Sequence, residues 1–162
     1  MRPQTPNRGD ESTMHGFCEE PSCDLRDHLL PRARRVLVVD DSRGHRALCA
    51  RVLADAGYDV QSAPDGRRAW ELLRDREFDL VVSDGQMPAM SGVELLRRVR
   101  ADWALGNLPV ILLTAMDGPE ERSTGLAAGA SDYICKHHEG ALRLLVDSVD
   151  RLMRDRREAV PA

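Results

Sequence analysis

Residues 36–42 read VLVVDDS, an apolar run followed directly by two acidic residues and a serine. Short runs rich in β-branched residues are typical of buried strands, so we predict a first strand over 36–39. The same kind of run recurs four times further along the chain, at 58–61, 80–82, 110–113 and 133–135. The repetition predicts five strands that are separated by longer amphipathic stretches.

The stretches between the strands carry apolar residues at helical spacing. Ser91 and Glu94 stand three residues apart, the spacing of a capping box, and mark the start of the third helix. The fourth stretch contains or adjoins three glycines and has few large apolar side chains, so we expect it to be the most mobile element. The first and second helices are predicted over about 42–56 and 65–76, this fourth one over about 119–128, and the fifth over about 140–157.

Five strands that alternate with five helices predict an α/β fold, a five-stranded parallel doubly wound sheet with right-handed crossovers. In such sheets the functional site lies at the carboxyl ends of the strands. The residues that follow the first, third, fourth and fifth strands offer three carboxylates, one hydroxyl and one amine. They are Asp40, Asp41, Asp84, Thr114 and Lys136.

Carboxylates that crowd together repel each other unless a cation lies among them. Oxygen ligands favour a hard divalent ion, so we predict a Mg²⁺ site at this edge of the sheet. An aspartate surrounded by a metal, an amine and a hydroxyl is suited to accept a phosphoryl group, because phosphoryl transfer depends chiefly on positioning and charge neutralisation.

Four motifs now make a resemblance plain: VLVVDDS at 36–42, DLVVSDGQMPAMSG at 79–92, PVILLTA at 109–115 and AGASDYICK at 128–136. Together they resemble the receiver domain of bacterial two-component response regulators, stand-alone chemotaxis regulators in particular. The resemblance implies a flavodoxin-like receiver fold with Asp84 as phosphoacceptor. It also implies a Mg²⁺ site made by Asp41 and Asp84, by Asp40 through bound water, and by the backbone carbonyl of Gln86.

The same resemblance implies roles for three residues near the acceptor. Lys136 would pair with the acceptor and then with the phosphoryl group, Thr114 would be the switch hydroxyl, and the rotamer of Tyr133 would report the switch. The implied output face is the fourth helix, fifth strand and fifth helix. The family has a cis proline after the lysine, whereas this chain has His137, so we expect that loop to relax to trans or to store strain.

Composition narrows the class of protein. The 162 residues carry a formal net charge of −4, which argues against direct DNA binding. No apolar run approaches the roughly 20 residues needed to cross a bilayer, so we predict no membrane insertion and a cytoplasmic location. We predict a disordered extension over 1–34, in which the spacing permits a short helix at 24–30, a receiver domain over 35–157 and a tail over 158–162.

The predicted function is that of a single-domain response regulator, a signalling phosphoacceptor rather than an enzyme. Its partners would be a histidine kinase or histidine phosphotransfer protein and an unknown protein target. One alternative is a receiver-like adaptor that works without phosphorylation, which His137 motivates. A less favoured one is an aspartyl-phosphate hydrolase of the haloacid dehalogenase type, whose DxD motif is absent after the first strand, where the chain reads Asp40, Asp41, Ser42.

Overall fold

A computed structural model describes residues 32–159, and the helix suggested at 24–30 lies outside them. Within residues 32–159 five strands and five helices alternate, as predicted. They are β1 Arg35–Val39, α1 Arg43–Asp55, β2 Asp59–Ala63, α2 Gly66–Asp75, β3 Leu80–Ser83, α3 Gly92–Ala101, β4 Val110–Thr114, α4 Pro119–Ala127, β5 Asp132–Cys135 and α5 Ala141–Glu158. The domain limits at 34 and 157 stay predictions.

The five strands form one parallel sheet in the order β2-β1-β3-β4-β5. Three of them, β1, β3 and β4, are buried along almost their whole length, because helices cover both faces of the sheet. This confirms the predicted doubly wound parallel sheet.

Each face of the sheet has its own apolar core. On one face Leu37, Val81 and Leu112 pack with residues of α2 and α3. On the other face α1 and α5 pack over Val38 and Ile111. Within residues 32–159, no helix is long and apolar enough to span a bilayer.

Helix α4 is held more weakly than its neighbours. It begins at Pro119 after Gly118, which makes no side-chain cap, and its one buried residue is Gly125. A Cβ added to Gly125 would lie 2.9 Å from side-chain atoms of both Leu112 and Tyr133, so the absent side chain lets the helix approach the sheet. The sparse contact agrees with the low apolar content of this stretch, and its mobility stays a prediction.

The strand register positions the site. Val39 of β1 is paired with Ser83 of β3, so Asp40 and Asp84 leave the sheet side by side. Thr114 of β4 is paired with Cys135 of β5, the residue before Lys136. We call the end of the sheet where these residues emerge the carboxyl edge, and the opposite end the amino edge.

Candidate functional site

Three carboxylates meet at the carboxyl edge. Asp40, Asp41 and Asp84 each offer an oxygen, and these oxygens all lie within 4.8 Å of one another. Asp40 and Asp84 are 3% and 8% exposed, whereas Asp41 is exposed to solvent. The cluster therefore has a buried floor and an open rim.

Lys136 bridges the two buried carboxylates. Its Nζ lies 2.7 Å from Asp40 Oδ2 and 2.9 Å from Asp84 Oδ2. Burial opposes the charged amine, but the hydrogen bonds to both carboxylates outweigh it and raise the pKa of Lys136. The backbone N–H of Lys136 donates to Thr114 O at 2.7 Å, which fixes the residue at the end of β5.

The peptide bond after Lys136 is trans, since none of the residues 32–159 has a cis bond. This is one of the two outcomes expected where His137 replaces proline. Lys136 reaches both carboxylates with the trans bond.

The start of α1 surrounds Asp40. The Ser42 N–H donates to Oδ1 at 2.8 Å, and His45 Nδ1 lies 2.7 Å from Oδ2. Arg46 donates to the backbone carbonyl of Asp40 at 2.6 Å. Burial alone would raise the pKa of Asp40, but hydrogen bonds from Lys136, Ser42 and His45 lower it below its ordinary value. Sequence reasoning missed His45 and Arg46, although their place in the first turn of a helix that begins beside Asp40 was a usable signal.

The loop after β3 folds back over Asp84. The Gln86 N–H donates to Asp84 Oδ1 at 3.2 Å, and the Gly92 N–H donates to Gly85 O at 3.1 Å. A Cβ added to Gly92 would lie 2.0 Å from Asp84 O, so only glycine permits this close approach. Gln86 thus contacts Asp84 through its N–H, and the predicted role of its carbonyl as a metal ligand stays a prediction.

Thr114 and Tyr133 lie between this cluster and α4. A Cβ added to Gly85, next to Asp84, would lie 2.8 Å from Thr114 Oγ1, so the hydroxyl is close to the acceptor loop. That hydroxyl accepts a 3.3 Å hydrogen bond from the Met116 N–H. Tyr133 is buried, and its hydroxyl donates to Met116 O at 2.9 Å.

Arg122 of α4 contacts both the backbone and the ring of Tyr133. Its guanidinium donates to Tyr133 O at 2.9 Å and lies 5.9 Å from the centre of the ring. A cavity of about 240 Å³ adjoins Thr114, Met116 and Tyr133. The two predicted switch residues therefore share a backbone partner, Met116, and a space in which side chains can rearrange.

The donor set fits a divalent cation. Three carboxylates and one ammonium leave a formal charge of −3 + 1 = −2 at the cluster. All three carboxylates offer oxygen ligands, and Asp41 keeps the rim open to water, which Mg²⁺ retains as ligands in proteins. Asp40, Asp41 and Asp84 are the residues that would hold the ion.

The fold and this edge define a class of protein, the receiver-type signalling domain. The chain belongs to the response regulator receiver domain family, whose model matches residues 36–147. Members of this family typically bind Mg²⁺, which agrees with the acidic cluster.

Individual relatives agree with the family. The chain is 35% identical over 125 residues to the chemotaxis protein CheY-3 of Vibrio cholerae, covering 76% of this chain and 95% of that protein. It is 44% identical over 102 residues to the response regulator MprA of Mycolicibacterium vanbaalenii, covering 63% of this chain but only 43% of MprA. The solved structure of chemotaxis response regulator CheY4 of Vibrio cholerae superimposes with a TM-score of 0.68 at 34% identity, covering 74% of this chain and 98% of that one.

Proposed function

We propose that this receiver domain is a phosphorylation-controlled switch that accepts a phosphoryl group on Asp84. The observation that carries the proposal is the single ammonium of Lys136, which contacts Asp40 and Asp84 together inside a cluster of three carboxylates. Such a group neutralises charge where the phosphoryl oxygens would arrive.

The donor would be a phosphohistidine of a histidine kinase or a histidine phosphotransfer protein. An Asp84 carboxylate oxygen forms a bond to phosphorus while the P–N bond to the donor imidazole breaks, and the imidazole leaves with the electron pair and takes up a proton. Bound Mg²⁺ would neutralise the charge on the phosphoryl oxygens. Lys136 would move its pairing from the Asp84 carboxylate to a phosphoryl oxygen, and Asp40 would keep it in place.

The response would pass through Thr114. The Thr114 hydroxyl accepts from the Met116 N–H, so a movement of this hydroxyl toward a phosphoryl oxygen would lengthen or redirect that contact. Met116 also accepts the hydrogen bond of the Tyr133 hydroxyl. A movement of the loop that holds Met116, between β4 and α4, would therefore displace Tyr133 and α4. A weakly held α4 is a suitable element for such a shift.

The output would be protein contact at α4, β5 and α5. A groove of about 480 Å³ runs along this face, with Ile134 and Leu144 among its apolar residues and Arg122 and Arg151 among its charged ones. The target is a protein of unknown identity, and direct DNA binding is not part of the proposal. The cytoplasmic location expected from the sequence belongs to the same proposal.

The test uses the purified chain, Mg²⁺ and a small phosphodonor such as acetyl phosphate, with intact mass as the readout. We expect a mass gain of one phosphoryl group in the wild type, none in Asp84→Asn, and none when a chelator removes Mg²⁺. An Asp84→Asn protein that is phosphorylated like the wild type would overturn the assignment. A folded wild type that neither this donor nor any histidine kinase phosphorylates would favour the adaptor.

A further inference from the structure

One oxygen of Asp40 serves two partners. Asp40 Oδ2 lies 2.7 Å from Lys136 Nζ and 2.7 Å from His45 Nδ1, while Oδ1 accepts from the Ser42 N–H. The side chain of Asp40 is 4% exposed, so little water competes for these contacts. The position of the carboxylate is therefore set by α1 on one side and by Lys136 on the other.

The proton on His45 follows from its partner. An ionised carboxylate can only accept hydrogen bonds, so Nδ1 must carry the hydrogen. Both ring nitrogens of His45 lie near the sulfur of Cys49, one turn further along α1, with Nδ1 at 3.7 Å and Nε2 at 4.0 Å. Burial, and then the negative charge of Asp40, raise the pKa of the Cys49 thiol to about 11, so Cys49 keeps its proton beside the imidazole.

The backbone of His45 is fixed as well. Its N–H donates to the side chain of Ser42, the residue that caps α1, and the backbone of Ser42 donates to Asp40. His45 thus belongs to a closed ring of contacts, Asp40 to Ser42 to His45 and back to Asp40. A side chain anchored at both ends is suited to orient another group.

We propose that His45 is a positioning residue that fixes the Asp40 carboxylate and thereby keeps the Lys136 ammonium against Asp84. Lys136 comes from β5, separated by β4 from the strand that carries Asp84, so its long side chain needs a second anchor to stay in place. Asp40 is that anchor, and His45 fixes its orientation. The effect on phosphorylation rests on the proposed function, whereas the effect on Lys136 itself does not.

Two substitutions separate hydrogen bonding from bulk. His45→Asn keeps an N–H donor the same number of bonds from Cα as Nδ1. His45→Leu replaces the imidazole with an apolar side chain of similar reach, which forms helix well and has no donor. Circular dichroism and urea unfolding establish that each variant is folded before it is compared.

Lys136 can be followed directly because it is the only lysine among the 162 residues. The first readout is the rate at which an amine-acylating reagent modifies Lys136, measured by peptide mass mapping, which separates it from the α-amino group. The second is the initial rate of phosphorylation by acetyl phosphate at saturating Mg²⁺.

In His45→Leu we expect acylation of Lys136 to become several-fold faster and phosphorylation about tenfold slower, a typical effect of losing an orienting hydrogen bond. His45→Asn should restore both rates to near the wild-type values. The proposal is overturned if Leu leaves the acylation rate unchanged or if Asn is as impaired as Leu. If no protein is phosphorylated, the wild type included, the proposed function fails while the acylation rates still decide the role of His45.

Discussion

The charged side chains at the two edges of the sheet are paired differently. At the carboxyl edge one ammonium is shared among crowded carboxylates, which leaves unbalanced negative charge. At the amino edge the arginines are bonded to carbonyls or to carboxylates that are set apart. The guanidinium of Arg35 donates to Asp59, that of Arg156 to Asp79 O and that of Arg34 to Met153 O, while the backbone N–H of Arg35 donates to the Asp79 carboxylate.

The difference indicates that the amino edge stabilises the fold and that the carboxyl edge is suited to bind a ligand. Groups that are each satisfied by a nearby partner add stability, whereas a cluster of like charges reduces it and is retained where a ligand will complete it. The same sheet therefore carries a brace at one end and the proposed binding site at the other. Substitutions at the two edges should change stability in different ways.

The largest loss of stability should come from Arg100, which braces the amino edge. Its guanidinium donates to Gly106 O, Leu108 O and Gly129 O, so it ties the end of α3 to two loops. We expect Arg100→Ala to lower the free energy of unfolding by about 3 kcal/mol, because three carbonyls lose a charged donor. Urea unfolding measures this, with the exposed neighbour Arg97→Ala as a control expected to be nearly neutral. Equal effects of the two substitutions would contradict the brace.

A pair of acidic residues compares the edges directly. Asp79→Ala leaves the Arg35 N–H without its 2.8 Å partner and should cost about 1–2 kcal/mol. Asp41→Asn removes one charge from the cluster and should leave the Mg²⁺-free protein at least as stable as the wild type. Mg²⁺ at ten times its Kd should then stabilise the wild type by about 1.4 kcal/mol and the Asp41→Asn variant much less. Equal stabilisation of both proteins by Mg²⁺ would argue against a metal site at Asp41.

Backbone strain is concentrated at one residue of the carboxyl edge. Ala89, in the loop after Asp84, has φ 67° and is the one non-glycine residue among 32–159 with a positive φ, whereas glycines take the other positive φ angles, Gly57 and Gly129 at the amino edge and Gly140 at the carboxyl edge. We expect Ala89→Gly to raise the free energy of unfolding by about 1 kcal/mol, because glycine adopts this conformation without steric cost. Thermal unfolding checks it, and a destabilised variant would show that Ala89 is not strained.

The smallest effect is a pH dependence at the amino edge. Burial, and then the hydrogen bond to Asp150, raise the pKa of Tyr58 to about 12. A raised pKa stabilises the fold below the ordinary value of 10, and this contribution is lost as the pH rises through 12. We expect the stability advantage of the wild type over Tyr58→Phe, about 1 kcal/mol at pH 9, to shrink above pH 10. A difference that stays constant with pH would contradict this role of the Tyr58 hydroxyl.

Regular patterns made the fold predictable. Runs such as 36–39 and 110–113 mark buried strands, and their alternation with helices is enough to place Asp40, Asp84 and Lys136 at one edge of the sheet. Contacts between side chains that are distant along the chain could not be predicted from these patterns. The chain has 22 arginines, and nothing in the sequence distinguishes Arg100 as the one that braces two loops. The contact of His45 with Asp40 depends on the direction in which α1 leaves β1.

The central claim is that the phosphoryl group is carried by Asp84, and chemical trapping tests it most directly. Reduction of an aspartyl phosphate with borohydride converts that residue to homoserine, which peptide mass spectrometry locates in the chain. After treatment with acetyl phosphate and Mg²⁺, the account predicts homoserine at position 84 of the wild type and no homoserine at positions 40 and 41. Homoserine at position 40 or 41 with an intact Asp84 would contradict it.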